Sequence, residues 1–75
     1  MQSFFFKAHV LHRAGYDKID PRDAWVEESP YYDDDVYFDI AGTTFCLRVK
    51  PYGIFEQHKG SGKGCIWTNW IRITK

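Results

Sequence analysis

The chain is poor in the features that would announce a special chemistry or compartment. No apolar run approaches the ~20 residues needed to span a bilayer. The opening segment from Met1 to Arg13 is interrupted by Lys7 and His9 and has no charged stretch before its apolar part, so it does not read as a secretory signal. Cysteine is limited to Cys46 and Cys65, which could pair only once. Without an export signal, two reduced thiols are expected rather than a disulfide, and a cytoplasmic setting follows. Internal repeats, heptads and linkers are missing, and 75 residues leave room for one small globular domain over 1–75.

Catalytic and ligand motifs are equally sparse. Gly60-Ser61-Gly62-Lys63-Gly64 looks like a phosphate loop but fails as one. A Walker-type loop needs glycine where Gln57 stands and Ser or Thr where Gly64 stands, and a strand rather than a helix is expected after it. His9 and His12 would fall on opposite faces of a strand, and no paired spacing links either to Cys46 or Cys65 as zinc ligands. Asp33, Asp34 and Asp35 are consecutive, so their carboxylates splay apart instead of converging on a hard cation. No orienting residue can be named for a Cys–His nucleophile. The reading is a protein with no enzymatic activity, cofactor or metal.

What the chain does have is apolar and aromatic content, with 44% hydrophobic and 19% aromatic residues, which places it among folded domains. Phe4, Phe6, Ala8 and Val10 alternate with Phe5, Lys7, His9 and Leu11, the period-two pattern of a strand over residues 3–13. Asp20 as a cap, Pro21 at the first helical position and Asp23 in the first turn predict a short helix over residues 20–28, pinned by Ala24 and Trp25 and stopped by Pro30. Val36, Phe38 and Ile40 then alternate, Ala41-Gly42 turns the chain, and Thr43 to Lys50 returns with Phe45, Leu47 and Val49 inward. Ile54 to Gln57 and Cys65 to Thr74 complete the strands, with Asn69 marking a bulge or a doubly covered segment. The fold class is α+β, mostly β: a curved antiparallel sheet or small half-open barrel of about five strands with one short helix, in the order β-α-β-β-β-β.

Charge is distributed unevenly. The chain carries as many acids as bases, yet residues 14–40 have a net charge of −7 and the remainder +7. Residues 23–39 are the most lopsided stretch, with seven acids, no base and five aromatics. Asp23, Glu27, Glu28, Tyr31, Tyr32, Asp33, Asp34 and Asp35 are therefore the candidate partner-binding residues. An acidic-aromatic surface of this kind suits a basic protein partner, itself a nucleic-acid binder whose phosphate contacts the carboxylates would mimic. The corresponding function is a non-catalytic protein-binding module, a stoichiometric inhibitor of the phage or mobile-element type. The alternative is a small-barrel nucleic-acid binder using Arg48, Lys50, Lys59, Lys63 and Arg72, with Tyr52, Trp67 and Trp70 nearby for base stacking. A solvated acidic face that only keeps the domain soluble would account for the same residues. No membrane partner is expected, and the oligomeric state is open.

Overall fold

The computed structural model describes residues 3–27, 35–60 and 62–74, with the side chain of Ser3 excepted. One helix, α1 (Ser3–Arg13), and a single 3-10 turn (Pro21–Asp23) precede five strands: β1 (Trp25–Glu27), β2 (Asp35–Ile40), β3 (Thr43–Lys50), β4 (Gly53–Lys59) and β5 (Ile71–Arg72). Among the described residues the strands form one antiparallel sheet in sequential order, with β1 and β5 at its edges. The fold is thus the mostly-β α+β type that the strand pattern predicts. Its first two elements, however, are not as expected.

Residues 3–13 are a helix instead of a strand, because the apolar spacing there satisfies both periods. Phe6, Val10 and Ala14 recur every four residues, which suits a strand face and a helix face alike. Leu11 decides between them. It comes directly after Val10, and both are fully buried in the same core cluster, which only a helix permits. Gly15 (φ 87°) closes α1 with a Schellman turn: Tyr16 N–H donates to the Leu11 carbonyl (2.8 Å) around the Gly15 N–H bond to His12 (3.1 Å).

The expected 20–28 helix shrinks to one turn. Asp20 does cap, accepting from the Arg22 N–H at 2.9 Å, and Pro21 does lead. Ala24 then turns extended (φ −97°, ψ 158°), and Trp25 and Val26 pair with Tyr37 and Val36 of β2. A helix this short is marginal alone, and a cross-strand stack of Trp25 on Tyr37 (centroids 5.7 Å, 13° between planes) competes successfully with it. Trp25 is therefore not the buried anchor of a helix but a partly exposed ring on a sheet edge.

α1 covers one face of the sheet. Val10 and Leu11 pack with Ala24, Val36, Phe38, Leu47 and Ile54, and Phe6, Tyr16, Phe45, Val49 and Ile73 extend the cluster. Lys7 reaches from mid-helix to the Ala24 carbonyl just before β1 (2.8 Å), and Tyr16, past the helix end, donates to a Glu56 carboxylate oxygen on β4. The β2–β3 hairpin closes through Ala41 (φ 50°) and Gly42 (φ 82°), both left-handed, as a two-residue type I′ turn requires.

The C-terminal strand is shorter than its apolar pattern suggests. Trp67 makes an isolated bridge with Lys59, whereas Ile71 pairs with Glu56. Counted along both strands, one extra residue is taken up between Trp67 and Ile71, at the place where Asn69 interrupts the alternation. That slip reverses the facing of the residues beyond it. Trp67 points away from the helix, and Ile73 packs into the helix-side cluster.

The end of the sheet is locked around Gly53 (φ 150°). A Cβ there would lie 2.6 Å from the Thr74 carbonyl oxygen and 2.9 Å from Arg72 Nε. Gly53→Ala is expected to lower the urea unfolding free energy by about 2 kcal/mol, since both the dihedral and the contact must relax. An unchanged midpoint would mean that this corner is not held as described.

Candidate functional site

The second face of the sheet, opposite α1, brings together most of the residues with recognition chemistry. The strand register puts Trp25 beside Tyr37 and Tyr37 beside Cys46, while Asp35, Arg48, Phe55 and Arg72 form the adjacent row. Thr44 and Lys59 continue the face at one end and Lys50 at the other.

At its centre is an ion pair. Arg48 Nε and Nη2 donate to Asp35 Oδ1 and Oδ2, each at 2.9 Å, a two-pronged fork. Asp35 is 2% exposed, and the guanidinium carbon sits 4.3 Å from the centroid of Trp70. Trp67 reaches the edge of Tyr37 (6.0 Å, 71°), extending the Trp25–Tyr37 stack across the face. Trp67 and Trp70 are three residues apart and would face opposite ways on a regular strand. The extra residue after Trp67 turns both onto this face.

The rings form a thin second layer, and Cys46 is buried within it at 1% exposure. Burial, and after it the charge of Asp35, pushes the Cys46 thiol up to about 12 from its ordinary 9.0. Burial and the neighbouring Cys46 and Asp35 likewise raise the Tyr37 phenol. Cys46 and Cys65 are both free thiols. On the helix side, His58 Nε2 lies 3.3 Å from Glu56 Oε2, and His12 Nδ1 lies 2.5 Å from Asp17 Oδ1. His9 and His12 stand on a helix instead of a strand, and among the described residues no group of three or more His, Cys, Asp or Glu could hold a metal ion.

The acidic candidates are not assembled in the same way. Glu28, Tyr31, Tyr32, Asp33 and Asp34 lie outside the described residues. Asp23 is exposed on the 3-10 turn, and Glu27 is exposed on β1, where it accepts from Trp25 Nε1 (3.1 Å). Asp35, expected on a partner surface, is instead turned inward to Arg48, because a carboxylate in mid-sheet needs a counter-charge to be buried. The basic candidates fare differently. Arg48, Lys50, Lys59 and Arg72 all come to the aromatic face, and Lys63 is exposed in the turn after it.

Two parts of this site go unrecognised in a reading of the chain. Phe55 looks like an ordinary strand residue, yet it shares the face with Tyr52 (5.5 Å, 77°). The Asp35–Arg48 pair did leave a signal, since the two are equidistant from the Ala41-Gly42 turn and must be cross-strand partners. No protein-family model matches the chain, and no curated protein or solved structure matches it.

The buried layer generates two expected outcomes. Asp35→Asn leaves the guanidinium partly desolvated without its counter-charge and is expected to cost about 3 kcal/mol in urea unfolding, with Asp35→Asn/Arg48→Met recovering part of the loss. A double variant no better than the single one would mean that the charge is not what Asp35 supplies. For Cys46, the unfolded thiol ionises near 9.0 while the folded one keeps its proton to about 12. Between those limits the unfolded chain binds fewer protons, so stability falls as the pH rises. Thermal melts should show that decline starting near pH 9, the ordinary value of the thiol, with a shallower slope in Cys46→Ala. Equal slopes would remove Cys46 as the cause.

Proposed function

We propose that this chain is a non-catalytic binding module whose working surface is the aromatic face of the sheet and whose ligand is single-stranded nucleic acid. The observation carrying this reading is the shared facing of Arg48, Lys50, Lys59 and Arg72 with Trp25, Tyr37, Trp67 and Trp70 across neighbouring strands. Trp25 and Trp67 keep 37% and 36% of their surface in contact with solvent, and Tyr52 keeps 59%. Rings held half-exposed on a rigid sheet are suited to stacking on unpaired bases, at roughly 1–3 kcal/mol per base. Lysines at both ends of the face supply phosphate contacts. A duplex, with its bases already stacked, offers no partner to these rings. The overall neutrality does not oppose binding at short range. Charges more than about 8 Å away are screened at physiological salt, and the acids of the described strands on this face each accept a hydrogen bond: Asp35 from Arg48, Asp39 from Thr44 (2.7 Å) and the exposed Glu27 from the Trp25 indole (3.1 Å).

A second reading rests on the β1 margin of the same face. Exposed Asp23 and Glu27 flank Trp25 there, and Trp and Tyr are the residues that dominate protein interfaces. In that reading the module is a stoichiometric inhibitor of a basic protein, of the phage or mobile-element type, with residues 28–34 adding to the contact. A cytoplasmic setting fits both readings, given the two free thiols.

Fluorescence anisotropy with a labelled oligothymidylate separates the two. Binding is expected at low salt, falling linearly with log salt concentration. Trp25→Ala should weaken it about tenfold and Lys59→Glu/Lys63→Glu should flatten the salt slope, with circular dichroism verifying the fold. No shift at low salt, together with capture of a basic protein that Glu27→Lys abolishes, would replace this reading with the second.

A further inference from the structure

The charged side chains of the aromatic face are divided across the sheet. Glu27, Asp35 and Asp39 stand on its β1–β2 half beside Trp25 and Tyr37, and neither strand contains a Lys or Arg. The register puts Arg48, Lys59 and Arg72 on the β3–β5 half. Glu56, the acid of β4, points to the opposite face, where Tyr16 and His58 meet it. We propose that this division makes the face selective for bases that carry an exocyclic amino group, with Glu27 and Asp39 as the residues that select them. Such selectivity rests on the reading of the face as a surface for single-stranded nucleic acid and specifies the class of base that the surface prefers.

The two halves suit different parts of a strand. Phosphates are drawn to Lys59, exposed at the end of β4, and to Lys63, exposed in the turn beyond it. The bases then lie toward Trp67, Tyr37 and Trp25, whose rings follow one another across the sheet at centroid spacings of 6.0 and 5.7 Å. The reverse arrangement would carry phosphodiesters to Glu27 and Asp39, both exposed. Within a Debye length, about 8 Å at physiological salt, those carboxylates repel them.

Base edges on the β1–β2 half meet acceptors. An ionised carboxylate has about four lone-pair sites and no donor, so a single bond does not exhaust it. Trp25 Nε1 donates to Glu27 Oε2 at 3.1 Å, and because an indole N–H bonds in the plane of its ring, this carboxylate lies at the rim of Trp25. Thr44 Oγ1 donates to Asp39 Oδ1 at 2.7 Å, which holds the second carboxylate two residues along β2 from Tyr37, on the same face. Asp35 takes no part, since the Arg48 fork occupies both its oxygens and it is 2% exposed. A base stacked on Trp25 or Tyr37 thus turns its edge toward a group that can only accept. The amino groups of cytosine and adenine donate there, whereas thymine and uracil present a carbonyl oxygen at the corresponding position and are repelled.

The test compares three unlabelled strands of equal length as competitors of the labelled oligothymidylate: oligothymidylate, oligodeoxycytidylate, and an oligodeoxycytidylate built from N4,N4-dimethylcytosine. Oligodeoxycytidylate is expected to bind about fivefold tighter than oligothymidylate, and the dimethylated strand, which has lost its amino donors, no tighter than oligothymidylate. Glu27→Gln/Asp39→Asn should bring the ratio of the two natural strands close to one while leaving the salt slope of oligothymidylate binding unchanged. The amides keep an acceptor for Trp25 and Thr44, so the double variant is expected to fold, with circular dichroism as the check. Equal affinity for the two natural strands, or a cytidylate preference that survives dimethylation or the double variant, would overturn the selection and leave the surface reading intact. Binding of no strand at low salt would overturn the surface reading and the selection with it.

Discussion

The bidentate pair between Asp35 and Arg48 is the interaction on which the second face depends. It sits on the two central hairpin strands, with the carboxylate almost fully buried. A buried carboxylate is costly unless both oxygens are satisfied, and the guanidinium fork does this with two parallel bonds. Once the fork is in place, Arg48 presents a fixed plane, and Trp70 can settle on it. Trp70 thereby joins the layer of rings that Tyr37 and Trp67 continue over Cys46. One neutralised charge pair thus lets a row of mid-sheet positions become a ring-lined surface.

A single helix lies behind this arrangement. One eleven-residue helix covers only one face of a five-stranded sheet. On the other face, among the described residues, large rings from the strands and from the segment before β5 lie where a second covering element would. Rings used in this way are neither core nor fully solvated. They seal Cys46 from water yet keep broad edges and faces outward, which is the condition for stacking on a ligand. The same economy explains the C-terminal segment. Its one-residue slip costs ladder hydrogen bonds but delivers both Trp67 and Trp70 to the face that lacks a helix.

Much of this was legible in the chain, though unevenly. The β2–β3 hairpin came from Val36, Phe38, Phe45, Leu47 and the Ala41-Gly42 turn, and its register already contained the Asp35–Arg48 pair. The basic set was legible as well, because Arg48 and Lys50 alternate with Leu47 and Val49. Residues 3–13 were not, since a four-residue spacing is common to strand and helix faces and only Leu11 breaks the tie. The acidic stretch misled for another reason. Composition treats its seven acids alike, whereas the fold buries Asp35, leaves Asp23 and Glu27 exposed and ties Asp39 to Thr44.

The sequence by itself determined a small mostly-β domain, its central hairpin, the division of charge along the chain and the want of catalytic motifs, because these depend on local periodicity, turn chemistry and composition. Only the tertiary structure decided that the first segment is helical, that residues 25–27 join the sheet, and that Trp67 and Trp70 share a face with Arg48. Each of those outcomes depends on a competition between a weak local preference and a contact with a distant strand. Local rules rank the preference but do not see the contact, and in a domain of this size a single aromatic stack or one slipped residue is enough to change the result.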